Sequence, residues 1–297
     1  MKYRKNVLFG FATVACLSVL ATMAAAQQQN PPLVVMPLKG GVYWSSGGAG
    51  GNTGFIIGQN SVIVIDAKTT PESAKDMLSQ IAKITPKPVK TVILTHSDRD
   101  HVNGLAAFPK DVKVIAQENN KKEQEAALEA GGPSAPPRDY LPAQVVTKEK
   151  ESLKIDGVNL TLLHTGRAHT SGDLAIYLPD QKIVFTGDLV TSNRPDVLIH
   201  LEKNGSSEGW VRFVKTLAAL DADTYVPGHG ELQTKADVQK KIAQTEQQRD
   251  KVKAMVAEGK SLAEIKSALG EKDAPAQPGA PRFASFTEVV YQELTKK

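Results

Sequence analysis

The sequence predicts an α/β fold in which sheets pack face to face with helices outside. Three observations predict it. Strand-length and helix-length segments follow in the order strands, helix, strands, helix. The stretch Thr91 to Leu94 is short and continuously apolar, as a strand buried on both faces is. After about residue 233 the pattern turns helical, so the chain ends in a helical extension.

The elements follow in order. Residues 33–66 read as strands: Val42 to Trp44, then a Gly-rich loop from Ser45 to Gly51, then Phe55 to Ile57 and Val62 to Ile65 around the turn Gly58–Ser61. A helix begins at Thr70, with Pro71 at its first position, and runs to about Lys83. The buried strand Thr91–Leu94 follows, then a strand from Val112 to Ala116 and a helix from Glu118 to Ala130. Four prolines and two glycines make Gly131–Pro142 a loop. Ser152–Ile155 and Val158–Leu163 form a hairpin on the tight-turn pair Asp156 and Gly157. Leu174–Leu178 and Lys182–Phe185 form another around Pro179 and Asp180. A helix near Ser207–Leu220 leads to a short strand, Thr224–Val226. In the extension, Ser261 with Glu264 and Ser285 with Glu288 fit capping boxes, with a Pro-rich linker from Ala274 to Pro281 between them. Val238, Ile242, Thr245, Val252 and Val256 form an apolar stripe that suits docking on the sheets or on a partner.

The chain has 297 residues, 36 Lys and Arg against 32 Asp and Glu, and a net charge of +4. Its 23% charged content excludes a polytopic membrane protein and a disordered chain. One Cys excludes an internal disulfide and any cysteine-cluster metal site. Lys2, Arg4 and Lys5 precede an apolar run from Val7 to Leu20 and the triplet Ala24, Ala25, Ala26, which together read as a secretory signal peptide cleaved after Ala26. Cleavage removes those three basic residues and the Cys, and leaves a net charge of +1. The expected organisation is a leader at 1–26, an α/β domain at 27–232 and a helical extension at 233–297, in a periplasmic or secreted protein without an integral span. A near-neutral mature chain lacks the clustered basic surface of a nucleic-acid binder, so a small-molecule substrate is expected instead.

Four places put His or Asp just after a strand or in a turn. They are His96 to His101, with Asp98 and Asp100 inside; Ala168 to Thr170, centred on His169; Thr186 to Asp188; and Pro227 to Gly230, with His229. Two His and two Asp within six residues would repel one another if merely packed. Imidazole and carboxylate held together at strand ends suit Zn, Fe or Mn.

These residues resemble the metallo-β-lactamase superfamily, whose signature is H-x-H-x-D-H followed by a later His, Asp and His. The likeness extends over about Val34 to Leu232, with Gly54–Gly58 and Val64–Asp66 resembling that family's opening hairpin. It implies a four-layer αββα sandwich with two divalent metal ions, Zn first, at one edge of the sheets. It also implies that His96, Asp98 and His169 hold one ion, Asp100, His101 and His229 the other, and that Asp188 bridges them. A hydroxide between the ions would be the nucleophile, with Asp100 orienting it.

The sequence departs from the signature at Asp98, where a second His is usual. Two divalent ions carry four positive charges. Asp98, Asp100, Asp188 and a bridging hydroxide cancel all four, where the usual set leaves one. The expectation is a less acidified water and a shift toward Fe or Mn. Other residues have weaker claims. Asp66 reads either as support for a ligand histidine or as a turn residue. The Ser45–Gly51 loop reads either as a substrate border or as a flexible tip. Arg167 reads as a surface residue, His164 as structural, His200 as a cleft-lining candidate and Trp210 as a packing anchor. Substrate choice is expected to lie in the loops Ser45–Gly51, Gly131–Pro142 and Asn193–Ser207.

The implied function is an exported dinuclear hydrolase acting on an ester, lactone, thioester or β-lactam-like amide. The alternative is a non-haem di-iron oxidoreductase acting on oxygen or sulfur compounds, motivated by Asp98. A non-catalytic binding protein fits less well, because a retired site has no use for three buried carboxylates.

Overall fold

The computed structural model describes residues 30–132, 135–271 and 283–296. The expected signal peptide and the linker from Ala274 to Pro281 lie outside the described residues. Two sheets stack between two helical layers. The first sheet runs in chain order: β1 (Val34–Pro37), β2 (Val42–Ser46), β3 (Thr53–Ile57), β4 (Val62–Ile65), β5 (Val89–Ile93), β6 (Lys113–Gln117) and β7 (Gln144–Val146). Its first four strands are antiparallel and its last four parallel. The second sheet contains β8 (Lys150–Ile155), β9 (Val158–Leu163), β10 (Ala175–Leu178), β11 (Ile183–Thr191) and β12 (Thr224–His229), antiparallel except for the parallel pair of β11 with β12.

Strand periodicity sorts the core. In β4 the side chains of Ile63 and Ile65 face the second sheet, while Val62 and Val64 face the outer layer. Between the sheets, Trp44, Ile93 and Ile115 meet Leu162, Ile176 and Phe185. Outside the first sheet lies α1 (Pro71–Ile84), which begins at Thr70 as expected and buries Ala74, Met77 and Ile81. α3 (Glu118–Ala130) lies next to β6. Outside the second sheet, α4 (Ser207–Ala218) buries Trp210, whose indole N–H donates to the Leu189 carbonyl at 2.8 Å. The extension forms α5 (Lys235–Ala257), α6 (Leu262–Ala268) and α7 (Phe286–Thr295). Its stripe residues Val238, Ile242 and Val252 join the same core as α4 and β11, so the extension docks on the sandwich. No helix among the described residues is long and apolar enough to cross a membrane.

One expected turn forms, and other expectations change. The turn Asp156–Gly157 forms as predicted, with both residues at positive φ. The proline-rich loop contains a short 3₁₀ turn, Arg138–Tyr140, and β7 lies just beyond it. The larger correction concerns β11 and β12. Asp188 and His229 were expected in loops after strands but lie within strands. β11 continues past Phe185 because two register shifts, between Phe185 and Gly187 and between Gly187 and Thr191, absorb the irregularity. A bulged strand can keep pairing while re-aiming one side chain.

Candidate metal centre

The sequence-predicted donors converge at one edge of the sandwich. β5 ends at Ile93 and delivers His96; Asp98 then stands at the N-terminus of a single-turn helix, α2 (Arg99–Val102), which carries Asp100 and His101. Asp98 makes no capping bond to that helix. Its carboxylate faces inward, with Oδ2 3.6 Å from His96 Nε2 and 3.3 Å from His169 Nε2. On the other side, His229 Nε2 lies 3.1 Å from Asp100 Oδ2, and His101 Nε2 lies 3.4 Å from Asp188 Oδ1. Asp188 Oδ2 is 3.9 Å from His169 Nε2 and 3.6 Å from His229 Nε2, so this carboxylate stands between the two groups.

Each buried imidazole is oriented through its Nδ1. His101 Nδ1–H donates to Asp66 Oδ2 at 2.8 Å. Asp66 also accepts from the Thr95 amide and hydroxyl, both at 2.8 Å, which settles its role as support for His101 rather than a simple turn residue. The Thr95 hydroxyl proton is thereby committed, so His96 Nδ1–H donates to Thr95 Oγ1 at 3.0 Å. His169 Nδ1–H donates to the Leu198 carbonyl at 2.9 Å. In all three Nε2 points into the cluster, as ligand histidines need; on His169 it donates to Asp98 Oδ2 at 3.3 Å, and against burial the neighbouring carboxylates raise His101 and push His169 up to about 9, so a bound cation would displace a proton from each.

Close packing fixes the same geometry. A Cβ on Gly228 would lie 1.9 Å from Asp188 Oδ1, so only glycine lets β12 pass that carboxylate. A Cβ on Gly51 would lie 2.4 Å from the His101 ring. The loop that carries Gly51 is tied down by Lys68, a fully buried lysine whose ammonium donates to the Gly47 and Gly51 carbonyls at 2.8 Å each. The flexible-tip reading of this loop therefore gives way to an anchored border.

The charges suit cations. Burial alone would raise the Asp98 and Asp188 carboxyls. Neighbouring histidines instead hold both well below the ordinary carboxylate range. Asp100 is brought down to about 2 against burial by His101 and His229. Burial and the neighbouring His101 lower His96 and keep it neutral. The Nε2 atoms of His96 and His101 and the Oδ1 of Asp188 are buried with no hydrogen-bond partner. Ionised carboxylates and orphaned imidazole nitrogens in one buried cluster fit divalent metal ions, which require deprotonated donors. Three donor groups meet the spacing: His96, Asp98 and His169; His96, His101 and Asp188; Asp100, His101 and His229.

Lys203 was not foreseen. Its ammonium donates to Asp98 Oδ1 at 2.5 Å and to Ser97 Oγ at 2.8 Å. The expectation of a charge-neutral loaded site counted three aspartates and no lysine. Lys203 adds one positive charge beside Asp98, so the count that gave a neutral site no longer holds. His200 does line the cleft, and Arg167 is exposed, as expected. His164 is structural, with Nδ1–H donating to the Asp173 carbonyl at 2.7 Å. A cavity of about 1090 Å³ opens over the donors, and the three loops expected to set specificity contribute Ser46, Pro136 and Asn193 to its wall.

A family model described as "Metallo-beta-lactamase superfamily" matches residues 46–229. Among curated proteins, the 2,4-dinitroanisole O-demethylase subunit alpha of Nocardioides sp. (strain JS1661) is 30% identical over 200 residues, which cover 65% of this chain and 56% of that protein. The linear primary-alkylsulfatase of Pseudomonas sp. (strain ATCC 19151) is 22% identical over 57% of this chain and 39% of that protein. The chain thus spans about half the length of these relatives or less. Among solved structures, the stereoselective inverting sec-alkylsulfatase Pisa1 from Pseudomonas sp. superposes with a TM-score of 0.66 at 18% identity, over 89% of this chain and 50% of that one. That last likeness is one of fold.

Proposed function

The chain belongs to the metallo-beta-lactamase superfamily, and from that premise we propose that it is an exported, dinuclear metal-dependent hydrolase of ester-type bonds. The observation that carries the reading is the buried cluster of orphaned imidazole nitrogens and ionised carboxylates. His96, Asp98 and His169 would hold one ion, Asp100, His101 and His229 the second, and Asp188 both. Bound there, divalent ions supply Lewis acidity and a water acidified to near neutrality. With Lys203 beside Asp98, the charge argument for Fe or Mn falls away, and the nitrogen-rich set suits Zn.

The chain's own groups do the rest. The Asp188 side chain is 6% exposed and is fixed by its neighbours, whereas that of Asp100 is 30% exposed and faces the cavity. Asp100 orients the attacking water and holds its proton at the carboxylate; Asp188 keeps the two halves in register. The scissile carbonyl, lactone, thioester, amide or sulfate ester sits over the donors. The cavity wall also contains Pro31, Pro32, Val34, Ala127 and Phe283, which supports a substrate with an apolar body. Export is supported by the basic, apolar and A-x-A pattern of residues 1–26 and by the absence of Cys from the remainder.

The test is metal analysis of the purified protein, then a hydrolysis panel of esters, lactones, thioesters, alkyl sulfates and a chromogenic β-lactam. Two equivalents of metal per chain and faster turnover of long-chain than of short-chain esters are expected. Asp188→Ala and His101→Ala should each cost about a hundredfold or more in turnover. Full activity in either variant would show that the site is misassigned.

A further inference from the structure

We infer that the helical extension is part of the active site, and that through Phe283 it sets a preference for substrates with an apolar body. The inference rests on the reading of the cavity as the substrate site. Phe283 stands two residues before Ser285, the cap residue of α7. It lines the cavity over the donors, as does Val34 of β1, and the two are 44% and 47% exposed. A single exposed apolar side chain needs no explanation. Two in one cavity wall, which Pro31 and Pro32 also line, make an apolar patch of the kind that a ligand covers. Phe286, three residues on, is 4% exposed and lies in the core. The same stretch of chain therefore commits one phenylalanine to packing and leaves the other to the cleft.

The position of the ring is fixed from two sides. It meets the His200 ring edge to face, with centroids 4.7 Å apart and planes at 73°. His200 is buried, its Nδ1–H donates to the Glu202 carboxylate, and its Nε2 lies 3.2 Å from Asp98 Oδ2. One imidazole thus separates Phe283 from a donor carboxylate. A substrate whose scissile bond lies over the donors can reach the phenyl ring with the rest of its body. On the other side, α7 ties the residue to the sandwich. Ala284, Val289 and Val290 pack into the core that contains Trp210. Near the end of α7, the Glu293 carboxylate accepts from the Ser207 amide at 2.7 Å and from the Ser207 hydroxyl, at the start of α4. The proline segment of the wall is held as well. The Gly48 N–H donates to the Pro31 carbonyl at 2.7 Å, and a Cβ on Gly47 would lie 2.1 Å from the Pro32 carbonyl oxygen. Apolar groups already held in place bind a substrate body without first being ordered. Contact of this kind, away from the reacting bond, is equal in the ground and transition states, so it acts on KM and leaves kcat alone.

The experiment compares methyl octanoate with methyl acetate on the purified protein, because the two share the reacting group and differ only in the apolar body. Phe283→Ala is expected to lower the preference for the octanoate, as the ratio of kcat/KM values, by about tenfold or more, with the loss in KM. Phe283→Leu should recover most of it. Ile84→Ala, which removes an exposed apolar side chain outside the cavity, should match the unmutated protein. An equal loss on both esters, or a loss carried by kcat, would mean that Phe283 only supports His200 and would overturn the inference. A second readout needs no turnover. The chain's two tryptophans, Trp44 and Trp210, are buried, so in Phe283→Trp the new indole is the one that iodide quenches. Octanoate is expected to shield it, and acetate is not. Absence of shielding by octanoate in a protein that hydrolyses the esters would overturn the inference and leave the proposed function standing. Shielding by octanoate without hydrolysis of either ester would support the apolar preference and overturn the hydrolase reading instead.

Discussion

The two halves of the donor cluster are built differently. The half around His101 draws its supports from nearby chain: Asp66 from the end of β4, Thr95 from the end of β5, and Gly51 packed against the ring. The half around Asp98 takes only the Thr95 support of His96 from the strand ends, and draws the rest from a connection about a hundred residues further on, which supplies the Leu198 carbonyl, His200 and Lys203. One half is held by the ends of sheet strands. The other depends on how a connection whose regular part is the short 3₁₀ turn Leu201–Lys203 folds back over the cleft. The first is tied to the sheet, and the second contains Asp98, the residue at the position where the sequence reading expects a motif histidine, with Lys203 on its carboxylate.

The largest break in that comparison should come from Asp66. Asp66→Asn keeps the size of the side chain but leaves His101 without an ionised acceptor at Nδ1. Outer supports of this kind cost about ten- to a hundredfold in metal affinity. The larger loss should fall on the second half, as one equivalent lost in a chelator titration, with a smaller loss from the first half passed through Thr95 to His96. Equal loss from both halves would mean that the halves are not separately supported.

This contrast also explains what was legible in the sequence. The strands, the outer helices and the seven motif residues that converge could be read because each lies in a local pattern: apolar runs, caps, and His or Asp beside a strand end. Asp188 and His229 were placed in loops because a bulge that lets pairing continue past Gly187 depends on the partner strand, not on local composition. Lys203 and Lys68 could not be read at all. A lysine between helices and strands is ordinarily solvated, and only the folded chain reveals the half-buried carboxylate beside Lys203 or the two carbonyls around Lys68. His200 could be seen as a histidine near the cleft but not as a neighbour of Asp98.

Asp98→His sharpens the comparison by restoring the histidine motif. By sequence alone that change should strengthen the first half. The structure predicts the reverse, because Lys203 loses its carboxylate partner and faces an imidazole and bound cations instead. First-half affinity for Zn should fall about tenfold, in the way that loss of a supporting group does. The double variant Asp98→His with Lys203→Met should recover most of it. Stronger binding in Asp98→His alone would mean that Lys203 does not set the charge of this half.

The smallest effect concerns Lys68, on the rigid side. Burial lowers its ammonium to about 8, against the pull of Asp66 and Asp100, from an ordinary value of 10.5. Between those two pH values the unfolded chain carries a proton that the folded chain has released. Stability therefore rises with pH across that window, because the state binding more protons is the unfolded one. Below about pH 8 both states are protonated and the contribution is flat. The neutral amine still donates to Gly47 and Gly51, so the loop stays anchored as the proton leaves. In denaturant unfolding of the metal-free protein, the stability of the unmutated chain relative to Lys68→Met should be constant below pH 8. It should then climb toward pH 10.5. A flat difference across the whole range would mean that Lys68 titrates as a solvated lysine and that the loop beside His101 is looser than its hydrogen bonds indicate.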